Sequence, residues 1–399
     1  MKIVGLVAEY NPFHHGHAYH IAQAKKQTGA DYAVVVMSGD FVQRGTPAVL
    51  EKHIRAEMAL LGGADLVLEL PVRYATSSAE SFALGSVSLL DALGCVDSIC
   101  FGSECGDIAP LMELSQILVD EPAYYQTELQ KYLKEGLTFP AARAAALSDY
   151  AAILRDPNNI LGIEYCKALY AIHSSMAPVT IKRMGNDYHD ANLNSPTCSA
   201  TALRWALQTG HNPREIACHM SSEQYLILEE AVRTKGPLWD DDFSPLLVYQ
   251  LWSVFPDEMS SFLDMTPSLC DRIMNLRNEY KDFSTFAVRL KSKDLTRTRV
   301  NRALLHILLQ IKQQPFGPEA LYARILGFRK ASSPLLTEIK KASRIPLISK
   351  LAHADQLLTT DQLALLNETS RCSSLYEIVS SGKMQRPFVS EESRPIVIL

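Results

Sequence analysis

Between residues 9 and 17 the chain reads Glu9-Tyr10-Asn11-Pro12-Phe13-His14-His15-Gly16-His17. Two imidazoles, His14 and His17, stand three residues apart around a glycine, just before a helical pattern begins. That arrangement suits a phosphate. The free N–H groups of a helix's first turn and the positive end of its dipole attract an anion, and Gly16 lets the backbone come close because no Cβ intrudes. Histidine donates hydrogen bonds in either charge state. The pair can therefore hold phosphoryl oxygens as charge builds on them during attack at the α-phosphorus of ATP. Such a site needs no nucleophile of its own. The same residues would also serve a loop that merely caps a helix.

A second group is Ser199-Ala200-Thr201-Ala202-Leu203-Arg204. Its hydroxyls can open a helix from which Arg204 reaches a triphosphate; the alternative is an ordinary Ser-capped helix with a surface arginine. Ser38, Asp40, Gln43 and Arg44 form a polar loop after an apolar run. They are candidates for a pocket holding an acyl group or a target base, with Arg44 able to grip a carboxylate or phosphate in bidentate fashion, or else they are a structural turn. Asn158 and Asn159 precede an apolar helical run and either contact a ligand or cap it. His14, His17 and His20 have helical spacing but no convincing acidic partner in the same segment, which argues against a metal-dependent hydrolase.

These residues need a scaffold. Residues 3–7 form a short apolar run, 17–28 read as a helix stopped by Gly29, and 31–38 contain Ala-Val-Val-Val-Met. Residues 51–61 are helical up to Gly62-Gly63, 65–70 form a strand closed by Pro71, 77–93 a helix and 96–102 another strand. Near-continuous apolar strands alternating with helices predict a parallel sheet covered on both faces. Ligands bind beyond the carboxyl ends of such strands, which places 9–17, 38–44, the turn after Leu70 and 102–104 on one rim. Residues 108–173 read as helical, 179–184 as one more strand, 199–209 as a helix ending at Gly210, and everything beyond about 215 as helical. The expected fold class is α/β: a parallel-sheet nucleotide-binding domain over 1–215, with a helical insertion at about 108–175, followed by a mostly helical, partly basic domain over 216–399.

A length of 399 residues suggests two or three domains, and a composition 47% hydrophobic and 21% charged excludes a disordered chain. No run approaches the roughly 18 apolar residues of a membrane span, and no signal-peptide layout opens the chain, so the cytoplasm is the expected address. Eight cysteines without a CxxC pair argue against a zinc ribbon or a redox dithiol. Charge is unevenly spread. Residues 271–350 carry 17 Lys and Arg against 6 Asp and Glu, a net +11, leaving −16 for the rest of a chain whose total is −5. That is the footprint of a polyanion-binding module on an acidic body, or of a solvated basic face. Lys291, Lys293, Arg297, Arg299 and Arg302 cluster on and just before the first turns of a helix, against the preference of its dipole. A role in binding an RNA backbone explains the departure; intramolecular ion pairs would leave the same pattern.

His14-His15-Gly16-His17 resembles the HIGH signature of the nucleotidylyltransferase and class I tRNA synthetase superfamily, and Ser199 to Arg204 resembles its Ser-Ser/Thr-x-x-Arg motif. The strings GLVAEYNPFHHGH, VVMSGDFVQRGTPAV, RAEMALLGGADLVLELP, FGSECGD, PNNILGIEY, IKRMGNDYHD and LTRTRVNRALLHILL, in this order from residue 5 to about 310, are similar to the bacterial tRNA(Met) cytidine acetate ligase family. The resemblance implies a HIGH-type nucleotidyltransferase fold and a reaction in two steps: acetate and ATP give acetyl-adenylate, then the acetyl group passes to N4 of the wobble cytidine of elongator tRNA(Met). It implies ATP with Mg2+, acetate and that tRNA as partners, and no membrane. By position it assigns ATP binding to Val7, Ala8, Glu9, Tyr10, Asn11, Pro12, Phe13, His14, His15, Gly16, His17, Ala18, Tyr19, His20, Gly102, Asn159 and Arg183, with Asn158 equally fit on chemistry and Ser199, Thr201 and Arg204 beside the triphosphate. The anticodon loop offers a base already unpaired for such chemistry. Two other readings compete: a small-metabolite nucleotidylyltransferase, which leaves the basic segment without a task, and a non-catalytic RNA-binding scaffold, against which the intact His14, Gly16 and His17 count.

Overall fold

The computed structural model describes residues 1–183, 199–211, 213–293, 295–314 and 321–399. Strand β1 (Ile3–Ala8) leads through α1 (His15–Thr28) into β2 (Tyr32–Ser38), its parallel neighbour. A short antiparallel hairpin, β3 (Phe41–Val42) and β4 (Thr46–Pro47), precedes α2 (Lys52–Leu61) and β5 (Leu66–Leu70), which pairs on the far side of β2. Helices α3 (Val72–Ala75) and α4 (Ala79–Ala92) then carry the chain back to β6 (Ser98–Ser103), on the other side of β1. After α5 (Ile108–Asp120), α6 (Ala123–Lys134), α7 (Phe139–Ala146) and α8 (Pro157–Ala171), β7 (Ala177–Lys182) pairs with β6. The direction of strand progression thus reverses between β1 and β6. The carboxyl ends of those two strands form the crevice where a sheet of this kind takes its ligand.

Alternation along the strands feeds two cores. Ile3, Val34, Val36, Leu66 and Leu68 cluster with residues of α4, α5 and α8. Val4, Leu6, Val35, Met37 and Val67 cluster with residues of α1, α2, α9 (Ala200–Gln208) and α10 (Ser222–Thr234). A third core belongs to α11 (Ser244–Ser253), α12 (Pro256–Met259), α13 (Pro267–Leu276), α14 (Phe283–Leu290) and α15 (Arg297–Leu309), around Leu247, Leu251, Phe262, Phe283, Phe286 and Leu304. No helix among the described residues is long and apolar enough to cross a membrane.

The chain does not stay helical beyond residue 215, and it does not divide cleanly there. Strand β8 (Ala323–Phe328) returns to the sheet and pairs antiparallel with β5. After α16 (Ser333–Ala342), β9 (Leu347–Ile348) pairs with β8; α17 (Thr360–Met384) lends Cys372 and Tyr376 to the helical core, and β10 (Val397–Ile398) also pairs with β8. A short, mostly apolar run such as 323–328 cannot be told from a buried helical turn by periodicity, so the return was hidden in the sequence.

A buried charge cluster fastens this return. Lys52, at the start of α2, is 0% exposed; its Nζ lies 2.7 Å from Glu69 Oε1 on β5, 2.8 Å from Glu391 Oε1 near the C-terminus and 2.7 Å from Ser373 Oγ on α17. Arg324 on β8 bonds both carboxylates, at 2.9 Å to Glu69 and 2.5 Å to Glu391. Burial and Arg324 oppose the lysine's charge, yet Glu391, Glu69 and Asp40 hold its pKa above the ordinary value. Removing one member of such a group strands charge in a dry interior. Lys52→Met should therefore cost about 3–5 kcal/mol in denaturant unfolding. A loss under about 1 kcal/mol would show that Arg324 alone neutralises both carboxylates.

Candidate active site

Helix α1 begins at His15, two residues before the sequence pattern suggests, and His14 is its N-cap. The Nδ1 of His14 accepts the Gly16 N–H at 3.0 Å, and the Nδ1 of His17 accepts the His14 N–H at 3.3 Å. The two rings lie 3.9 Å apart between centroids. Since both Nδ1 atoms are acceptors, each neutral ring carries its proton on Nε2. Burial, and after it the charge of Arg183, pushes His14 down to about 3, and burial with His14 beside it holds His17 well below its usual value. Near neutral pH the site therefore offers two uncharged Nε2–H donors beside the N-terminus of a helix. Capping and phosphate binding are not rival roles here, because they use different nitrogens of the same ring. Gly16 has a second reason to lack a side chain: a Cβ would lie 2.8 Å from His14 Cε1.

Not every side chain of the segment 7–20 faces the crevice. Tyr10 and Phe13 are buried, with rings 4.8 Å apart, and Tyr10 stacks edge-on to His17 at 4.9 Å. Their side chains are pillars under the histidines, which leaves only their backbone to face a ligand. Asn11 and Pro12 are buried as well; Asn11 Oδ1 accepts the Val49 N–H at 2.8 Å. Val7, Ala8, Glu9, Gly16, Ala18 and His20 are half-buried on the rim side of β1 and α1, and His15 and Tyr19 are exposed. Burial lowers His20 to about 4, and its Nε2 lies 3.8 Å from Cys100 Sγ.

The far strands bring the remaining candidates to the same crevice. Arg183, just past β7, lies over Gly102 of β6, where a Cβ would come within 3.3 Å of its Cγ. Its guanidinium bonds Asn158 Oδ1 at 3.4 Å. Asn159 is committed elsewhere: its Oδ1 accepts the N–H groups of Glu104 and Cys105, at 3.0 and 3.1 Å, and its amide donates to Asp156. Of the two asparagines, Asn158 is the one beside the rim. Residues 184–198 lie outside the described chain. At its far end Ser199 caps α9 through the Ala202 N–H, and Arg204 donates to Thr201 Oγ1 at 3.1 Å and to the Asn11 carbonyl at 2.7 Å. The second motif is thus joined to the first through 193 residues of sequence separation.

The loop after β2 divides. Ser38 is fully buried, its Oγ without a hydrogen-bond partner among the described residues, and Asp40 is buried on Lys52, accepting its backbone N–H at 2.8 Å. Asp40 is thus taken up by the start of α2, and Ser38 keeps its hydroxyl inside the fold. Gln43 donates its N–H to Glu9 Oε1 at 2.9 Å. Arg44 lines a pocket of about 240 Å³ together with Glu9, Asn11, Arg204 and, from α15, Arg297, Thr298 and Asn301. Lys291 and Lys293 are exposed, and Arg297 and Arg299 are half-exposed. Arg302 is not an outward cation: only 9% exposed, it is ion-paired to Asp264 at 2.8 Å. Thr298 and Asn301 carried no sequence signal, since they lie inside a run read only for its charge. Arg55 was likewise missed. It is fully buried and donates to the carbonyls of Leu50 at 2.9 Å, Glu9 at 2.5 Å, Ser38 at 3.1 Å and Gly39; an arginine among apolar neighbours on one helical face was the available clue.

Several buried histidines share one electrostatic fate. Burial lowers His14 and His53 to about 3 and His20 and His306 to about 4, against 6.5 in an open chain. Below pH 6.5 the unfolded chain binds protons that the folded chain refuses, so stability rises with pH across that window and falls on acidification. The thermal midpoint should drop steadily from pH 6.5 to about 4, and a flat profile would show these rings charged within the fold.

Residues 1–390 match the HIGH Nucleotidyl Transferase family model. A tRNA(Met) cytidine acetate ligase of Acetivibrio thermocellus is 42% identical over 368 residues, covering 88% of this chain and 89% of the relative. Another of Caldanaerobacter subterraneus subsp. tengcongensis is 42% identical over 363 residues, again 88% and 89%. Among solved structures, Thermotoga maritima TmcAL in its apo form superposes with a TM-score of 0.93 at 31% identity, over 100% of both chains. The same protein bound with alpha-thio ATP superposes at 0.91 and 30%, also over 100% of both. The histidine-capped loop, the arginine that reaches it and these likenesses agree: the chain belongs to the HIGH nucleotidyl transferase family, among its tRNA(Met) cytidine acetate ligases.

Proposed function

We propose that this protein activates acetate with ATP and acetylates N4 of the wobble cytidine of elongator tRNA(Met), in the cytoplasm. In the first step an acetate oxygen attacks the α-phosphorus, the bond to pyrophosphate breaks and acetyl-adenylate forms. His14 and His17 donate from Nε2 to the phosphoryl oxygens, helped by the N-terminus of α1, and Arg204 faces the departing diphosphate. In the second step the N4 amine attacks the acetyl carbon, AMP leaves and the amine gives up one proton. Among the described residues no group of three or more His, Cys, Asp and Glu side chains is placed to hold a metal. Magnesium would therefore arrive on the triphosphate, held chiefly by its oxygens and water.

One observation carries the reading. The pocket beside the histidine loop has Glu9, Asn11 and Arg204 on one side and Arg297 and Thr298 of the basic helix on the other, so the adenylating crevice opens onto the surface suited to RNA. Radiolabelled acetate should reach the wobble cytidine of elongator tRNA(Met) only with ATP present, and acetyl-coenzyme A should not replace the pair. Acetate-dependent pyrophosphate exchange without transfer would keep the first step and reopen the acceptor; exchange driven by phosphorylated metabolites instead would favour the plain nucleotidylyltransferase.

His14→Ala or His17→Ala should reduce that exchange by roughly a hundredfold or more, while the lost cap costs only about 0.5–2 kcal/mol and the circular dichroism spectrum stays that of a folded chain. Replacing Arg297 and Arg299 by Gln should weaken tRNA binding and reduce the slope of log K against log salt by roughly one unit per lost phosphate contact. An unchanged slope would remove the first turn of α15 from the tRNA surface.

A further inference from the structure

Glu104, one residue past β6, is a charged side chain at the crevice to which the reaction so far gives no task. Its carboxylate divides between two partners on α8. Oε2 accepts the Asn159 N–H at 2.9 Å, and Oε1 accepts the side-chain amide of Asn158 at 2.5 Å. Asn159 answers with its own Oδ1 on the Glu104 N–H at 3.0 Å, so the end of β6 and the start of α8 cap each other. That exchange fills the anion seat at the N-terminus of α8 with a carboxylate. Capping uses only Oε2, and the bond from Oε1 to Asn158 leads toward the crevice.

A primary amide can face either way, so Asn158 alone could offer Arg183 its oxygen or its NH2. A carboxylate only accepts hydrogen bonds. Facing Glu104, Asn158 must turn its Nδ2 to the carboxylate, and its Oδ1 is then the atom left for Arg183, 3.4 Å from Nη1. Arg183 is exposed and stands past the end of β7 over Gly102, a place where a long side chain keeps its rotamer freedom unless something holds it. Its charge nevertheless reaches His14, His17 and His20, and it helps to keep all three rings neutral. We propose that Glu104 is a positioning residue for ATP binding: through Asn158 it orients Arg183, so that the guanidinium stands over the crevice before the nucleotide arrives. The relay has one direction. It runs from a group that cannot donate, through an amide whose sense that group sets, to a guanidinium that cannot accept. Glu104 itself need not touch the nucleotide. The inference rests on the reading of the crevice as the ATP site and adds to it a residue on which the site's arginine depends.

The test is ATP binding, measured by calorimetry without acetate, in variants that change the relay but keep the cap. In Glu104→Gln the Asn159 N–H, which cannot turn, takes the oxygen of the new amide. The new NH2 then faces Asn158, which must turn its own NH2 toward Arg183. ATP affinity should fall roughly tenfold, the scale of one lost hydrogen bond to a charged group. Adding Asn158→Asp should bring it back to within about threefold of wild type, because the new carboxylate accepts from both neighbours. Asn158→Ala, which leaves the cap at Asn159 untouched, should also lose roughly tenfold. In an Arg183→Met background none of these changes should alter affinity by more than about twofold, since residues in one relay do not act additively. Unchanged affinity in Asn158→Ala would leave Glu104 with the cap alone and overturn the proposal, as would an equal loss with and without Arg183. If Glu104→Gln does not fold by circular dichroism, Asn158→Ala with and without Arg183 still decides. A wild-type protein that binds no ATP would overturn the reading of the crevice, and the positioning role with it.

Discussion

Strands β1 and β2 run out of sheet partners at the rim where a ligand must sit, and one side chain answers for both. Arg55 places a guanidinium under the carbonyls of Glu9, Ser38 and Gly39, and its Nε bonds Leu50. Left alone, each buried carbonyl would cost about 1–3 kcal/mol. Only a planar group with five fixed donors can serve four carbonyls that diverge from two strands and a loop; a lysine has neither the span nor the geometry. The direction in which Glu9 leaves β1, and therefore the path of the histidine loop, depends on that clamp. So does the hairpin β3–β4, which begins two residues after Gly39.

The histidines show how a fold can make one residue both structural and functional. Capping fixes the orientation of an imidazole through Nδ1, and that same bond dictates that the proton lies on Nε2. A free histidine on the rim would populate two tautomers and many rotamers. Here burial keeps the rings neutral and the helix start keeps them aligned, so two Nε2–H donors are arranged before any ligand arrives, which is the condition for electrostatic stabilisation without reorganisation.

Local features were legible in the sequence and long-range ones were not. The histidine loop could be read because strand, turn and helix follow one another within about thirty residues, and a capped helix with a well-placed glycine leaves a local mark. Arg204 could be named because its partner hydroxyl, Thr201, stands three residues away. Arg302 was misjudged for the opposite reason. Its helix looks the same whether that side chain faces water or Asp264, and the acid that turns it inward lies 38 residues earlier. Ser38 and Asp40 look like site residues because they are polar after a strand, yet α2 folds back over them, and Asp40 is taken up by Lys52. Nothing within a short window reports that β8 returns to β5, because the partners that stabilise it, Glu69 and Glu391, lie about 255 residues before and 67 residues after Arg324.

The close approach of hairpin and helix is the step that joins two half-sites into one. Gly45, with a φ of +74°, turns the hairpin so tightly against α15 that a Cβ there would come within 2.3 Å of the Arg302 backbone nitrogen and 2.6 Å of the Asn301 carbonyl carbon. Any side chain would have to push backbone aside, since no flexible group lies in the way. Arg302 in turn pins α15 to Asp264, so neither wall of the pocket can retreat alone. An acyl-adenylate is a mixed anhydride that water would destroy, and a site that keeps it dry gains only if its acceptor is already beside it. The glycine that brings the helix to the hairpin and the ion pair that holds it there thus set the distance between the rim of the histidine loop and the basic helix.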